Sequence, residues 1–118
     1  MVSAISDPLP VVLFLLHAKR ALISEENREI IPREKNEVFL RKYLLRFQDV
    51  YDLCLKLTPH DYYSFPVEDD NLKYPGKVCV FKIVTEIHSD QVKMYVKLKL
   101  SPDCKHCKVL SFHEFDEF

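Results

Sequence analysis

Glycine is almost missing from this chain: Gly76 is the single example in 118 residues. That excludes the glycine-rich phosphate loops, whose backbone cradles need several glycines at fixed spacing. An anion must therefore be held by side chains or by a helix N-terminus. A long apolar run is missing too. Val11 to Leu16 is apolar for only six residues before His17, Lys19 and Arg20 close it, far short of the roughly 20 that cross a bilayer. It follows Asp7 and two prolines rather than a basic segment, so it does not read as a secretory leader. There is no basic excess either. Lysine and arginine number 17 against 18 acids, for a formal charge of −1, which argues against indiscriminate nucleic-acid binding. Repeats and low-complexity tracts are absent. A cytoplasmic protein with no membrane contact is expected, its four cysteines reduced.

What is present suits one packed domain spanning 1–118. Hydrophobic residues make up 47% and aromatics 12%, too much for a disordered chain. The front half reads as helical. Asp7 and Pro8 suit a helix start, with Leu9, Val12, Leu13, Leu16 and Arg20 at helical spacing to about Ser24. Residues 28–31 suit a short edge strand before Pro32. Asn36 is placed to cap a second helix carrying Val38, Phe39, Tyr43 and Leu44. A third, from about Gln48, shows Val50, Leu53, Cys54 and Leu57 as a buried stripe. Thr58–Pro59 opens a short turn, and residues 66–75 read as an acidic surface loop.

After Gly76 the period changes to two. Strands are expected at 77–87, 91–100 and 108–114, joined by a tight hairpin at Ser89–Asp90 and a longer connection over 101–106. In the central run Val92, Met94, Val96, Leu98 and Leu100 alternate with Lys93, Tyr95, Lys97 and Lys99. One face is then a core wall; the other carries three ammoniums and a phenol. The last run offers Leu110 and Phe112 to one side, Ser111 and His113 to the other. With Phe81 directed inward, Lys82 joins Tyr95, Lys97 and His113 on the outer face. A cationic sheet face bearing aromatics and an imidazole can grip a phosphodiester and move protons on it.

Five segments, in this order and spacing, carry a resemblance: Ile31–Pro32–Arg33–Glu34–Lys35–Asn36, Leu57–Thr58–Pro59–His60–Asp61–Tyr62–Tyr63, Pro75–Gly76–Lys77–Val78, Val92–Lys93–Met94–Tyr95–Val96–Lys97–Leu98, and Val109–Leu110–Ser111–Phe112–His113–Glu114. Over residues 12–115 the chain resembles the MqsR family of type II toxin–antitoxin mRNA interferases. The resemblance implies a RelE-like α+β fold, with N-terminal helices on a three- to four-stranded twisted antiparallel sheet. It also implies ribosome-independent mRNA cleavage without metal or other cofactor, and a cognate antitoxin encoded alongside. The family tyrosine, and the lysine two residues after it, match Tyr95 and Lys97. His113 stands where founding members carry lysine, giving Tyr95, Lys97 and His113 as the catalytic set. Lys82, Lys93, Lys99 and Tyr63 complete an RNA-binding surface. Ser64 departs from the pattern, since a lysine often follows the Asp-aromatic-Tyr motif.

Each of these residues also has an ordinary structural explanation. The lysines suit the solvated side of a half-exposed sheet, and Tyr95 suits cross-strand packing. Cys104–Lys105–His106–Cys107 has the spacing of a zinc knuckle, yet no second ligand pair follows, and a turn carrying two thiols explains it more simply. Two further readings stand beside the nuclease: a non-catalytic RNA- or protein-binding module using the basic face, and a small zinc-stabilised interaction domain.

Overall fold

The computed structural model describes residues 7–71 and 73–115. The acids Asp116 and Glu117 of the C-terminal tail lie outside the described residues. The chain forms an α+β fold from α1 (Leu9–Leu22), β1 (Arg28–Ile30), α2 (Glu34–Lys42), α3 (Phe47–Leu55), β2 (Val67–Glu68), β3 (Lys77–Ile87), β4 (Asp90–Leu100) and β5 (Cys107–Glu114). The sheet has five strands in the order β1-β5-β4-β3-β2. The meander β3–β4–β5 is antiparallel as expected. The expectation of a wholly antiparallel sheet of three or four strands is corrected by β1, which pairs with β5 in parallel, and by the two-residue β2.

Alternation builds the central wall. Cys79, Phe81, Val92, Met94, Val96, Leu98, Val109 and Phe112 are all buried and form one core with the helices. Phe14 meets Phe81 at 6.4 Å, and Phe39 meets Phe112 edge-on at 5.8 Å. The tight hairpin falls one residue earlier than expected. His88 and Ser89 both have positive φ, 50° and 72°, the backbone that a two-residue turn between twisted strands requires.

On α1 and on β5 the expected core-facing residues differ from those observed, for physical reasons. On α1 the buried stripe is Val11, Phe14, Leu15, Ala18, Ala21 and Leu22, whereas Leu13 and Leu16 stay 44% and 50% exposed. Both faces of this helix are apolar, and the buried stripe is the one that runs unbroken for the whole length, where Ala18 and Ala21 permit close approach. The rival stripe runs into Arg20. On β5 a bulge facing the Lys97–Leu98 step shifts the register, so Leu98 faces Val109 while Lys97 faces Ser111. The core-facing pair is therefore Val109 and Phe112, with Leu110 the extra residue.

Asn36 does not cap α2; Arg33 occupies that position. Asn36 is instead 1% exposed. Its amide nitrogen donates to the Ile31 carbonyl at 2.8 Å and the Leu110 carbonyl at 3.1 Å, and its oxygen accepts from the Phe112 N–H at 3.0 Å. Where β1 stops, this one side chain replaces the missing peptide along the edge of β5.

Gly76 is required by its position beside β4. Its φ is +151°, and a methyl added there would lie 2.6 Å from the Leu100 carbonyl oxygen. Gly76→Ala is expected to destabilise by more than about 1 kcal/mol, through both clash and backbone strain. An unchanged denaturation midpoint would contradict this.

Candidate nucleic-acid interface

The face of β3–β4–β5 opposite the core wall collects the polar residues in rows. Register places Lys82 opposite Tyr95, and Tyr95 opposite His113, so one row crosses all three strands. The Tyr95 and His113 rings stack at 4.7 Å with 17° between planes. The next row carries Lys97 opposite Ser111. Lys93 lies exposed on the other side of Tyr95, opposite Val84.

Segments outside these strands complete the cluster. Arg33, at the mouth of α2, donates to the Ser111 hydroxyl at 3.0 Å across 78 residues of sequence. Tyr63 arrives on the edge of β3, where its N–H donates to the Val80 carbonyl at 2.7 Å. The Lys82 ammonium sits 3.7 Å above the Tyr63 ring and 4.9 Å from that of Phe115. Ser64 holds the same edge. Its hydroxyl accepts the Val80 N–H at 3.3 Å along the side of β3, where the family resemblance leads one to expect a lysine.

The site's electrostatics assign roles. Burial, and secondarily Tyr63, push the Tyr95 phenol above its ordinary value, with Arg33 opposing. Tyr95 is thus a neutral hydrogen-bond donor near neutrality, not a base. His113 Nδ1 lies 2.8 Å from the Glu114 carbonyl oxygen. A carbonyl only accepts, so in the neutral ring Nδ1 carries the proton and Nε2 presents the lone pair. Beside His113 opens a cavity of about 380 Å³ lined by Glu34, Lys35, Val38, Phe39, Lys42 and Glu114.

The structure brings together five of the expected residues, Tyr63, Lys82, Tyr95, Lys97 and His113, with Lys93 alongside. Lys99 is the exception. It is 7% exposed, and its ammonium binds the Asp69 carboxylate at 2.7 Å and the Tyr74 carbonyl. It is a buried structural cation rather than an RNA contact. Arg33 is the functional candidate that sequence reasoning passed over; it stands between Pro32 and Glu34 in the first family-like segment, but nothing local ties it to Ser111.

The two thiols of the knuckle spacing sit in different settings. Cys107 is buried on β5, where burial pushes its thiol far up, while Cys104 sits in the 101–106 connection with φ 63°. Among the described residues no group of three His, Cys, Asp or Glu side chains is arranged to hold a metal. No described helix is long and apolar enough to cross a membrane. No family model, curated protein or solved structure matches the chain. The fold and site define an α+β domain with a basic, aromatic sheet face.

Proposed function

We propose that this chain is an MqsR-like, RelE-fold toxin that cuts single-stranded mRNA in the cytoplasm without a metal, and that a cognate antitoxin restrains it. The observation that carries the reading is the Tyr95–His113 stack, flanked in one cluster by Lys82, Lys97 and Arg33. In the proposed reaction Nε2 of His113 takes the proton of a ribose 2′-hydroxyl. The 2′-oxygen attacks phosphorus, the bond to the 5′-oxygen breaks, and that oxygen takes a proton from solvent. The products are a 2′,3′-cyclic phosphate and a 5′-hydroxyl. Arg33 and Lys97 face the charge that grows on the non-bridging oxygens, and Tyr95 donates a hydrogen bond.

Purified chain incubated with single-stranded RNA and EDTA is expected to yield internal cuts. A second reading, a binding module that grips RNA or an acidic partner without cutting it, is favoured by Ser64 in place of the family lysine. RNA bound but left intact would select that reading and overturn the first.

A further inference from the structure

The outer face of the sheet does not end at Lys97. One row further, Lys99 lies opposite Lys108, and here the loop between β2 and β3 folds over the sheet. A cavity of about 270 Å³ lies there, lined by Lys73, Tyr74, Lys99, Ser101, His106 and Lys108, with two prolines beside them. The side chain of Lys99, 9% exposed, forms its base. By binding both Asp69 and the Tyr74 carbonyl, it fixes the loop. The Asp69 N–H donates to the Gly76 carbonyl at 2.8 Å and the Tyr74 N–H to the Asn71 carbonyl at 3.1 Å, so the tether is made on both sides of the lysine. On the opposite wall, Ser101 and His106 close the β4–β5 connection through two hydrogen bonds, of 2.9 and 3.0 Å.

The result is that Tyr74, tethered through its carbonyl, presents its ring to solvent. Tyr74 is 52% exposed, and its ring has the Lys73 ammonium 5.6 Å from its centre and the Lys108 ammonium 5.9 Å away. Lys108 also faces Glu29 at 3.9 Å, with both side chains well exposed, a contact that salt and competitors readily replace. An exposed aromatic ring with cations close by is the arrangement that receives one nucleotide of a single strand: the base stacks on the ring and the phosphate meets the ammoniums. Tyr95 and Lys99 are four residues apart on one strand, about 13 Å at the rise of a β-strand. Single-stranded RNA crosses that distance within a few nucleotides, passing Lys97 on the way.

From this geometry we infer that Tyr74, Lys73, Lys108 and His106 form a second nucleotide-binding subsite, which holds the same RNA strand at a distance from the cleaved bond. The inference rests on RNA being the ligand of the sheet face, though not on its being cut. Lys99 acts in it as a positioning residue.

The test uses a non-cleavable, fully 2′-O-methyl hexanucleotide and the corresponding dinucleotide, each titrated into the full chain in EDTA, with RNA cleavage measured in parallel. Tyr74→Ala is expected to weaken hexamer binding by about tenfold or more, the scale of one lost stacked base, and to leave dinucleotide binding unchanged. Tyr74→Phe keeps the stacking ring and is expected to bind as wild type does. Lys108→Ala is expected to lower the salt dependence of hexamer binding by about one unit of slope. Hexamer binding unchanged in Tyr74→Ala, or equal weakening of both lengths, would overturn the subsite. So would a glutamate-rich peptide that binds as tightly as the hexamer and depends on Tyr74 to the same degree. Length-dependent binding without cleavage would instead sink the nuclease reading and leave the subsite standing.

Discussion

Replacing His113 with alanine is expected to slow RNA cleavage by about a hundredfold or more, the usual scale for a lost proton-transfer group. The expectation follows from the ring's two nitrogens. Nδ1 lies against the Glu114 carbonyl, which favours the tautomer with the proton on Nδ1 and leaves the Nε2 lone pair free to accept a proton. Tyr95 cannot take over, because its phenol is held protonated. Its own replacement by phenylalanine removes a hydrogen-bond donor but keeps the stack, so a smaller loss is expected. Since His113 is only partly buried, the fold should survive its removal, and thermal melting separates loss of chemistry from loss of structure. Cleavage by a folded His113→Ala chain at the wild-type rate would contradict the assignment.

The second large effect is on stability. Asn36→Leu keeps the branched outline of the side chain but abandons two buried backbone groups, the Phe112 N–H and the Leu110 carbonyl, and the part-buried Ile31 carbonyl. An orphaned buried group costs about 1–3 kcal/mol, so a loss of about 2–5 kcal/mol is expected. That is a large share of the roughly 5–15 kcal/mol that holds a domain together. Asn36→Asp is a sharper probe. The carboxylate can still accept from Phe112, but it sets negative charge against two carbonyl oxygens, so it should be destabilising near neutral pH and partly relieved in acid, where the protonated carboxyl donates again. Urea denaturation measures both variants. A loss below about 1 kcal/mol for Asn36→Leu, typical of a surface change, would show that the edge of β5 does not depend on this clamp.

The parts of this fold legible in the sequence are those governed by short-range period. The β3–β4–β5 meander could be read from alternation, because Lys93, Tyr95 and Lys97 break an otherwise apolar stretch at every second position. Thr58–Pro59 could be read because its cap is local: Asp61 accepts from the Thr58 N–H at 2.7 Å. What stayed hidden depends on partners far along the chain or on apolar residues that fit either side. The α1 face was ambiguous because Leu9, Val12, Leu13 and Leu16 form as regular a stripe as the one that is buried. The bulge on β5 was invisible because Leu110 satisfies an apolar pattern in either register. Lys99 looked like its exposed neighbours until Asp69, 30 residues away, neutralised it. Arg33 joined the site through a contact of still longer range. The same long-range pairing, of Asn36 with β5, turned an expected helix cap into a core clamp.

The central claim is that this basic face cuts RNA by way of the substrate's own 2′-hydroxyl. Its most direct test is a pair of oligoribonucleotides identical except for one 2′-deoxy sugar immediately 5′ of a mapped cut, incubated with the full chain in EDTA. Cleavage at that bond, ending in a cyclic phosphate, is expected for the all-ribose strand and none for its partner. Equal cutting of both strands, or of neither, would contradict the account.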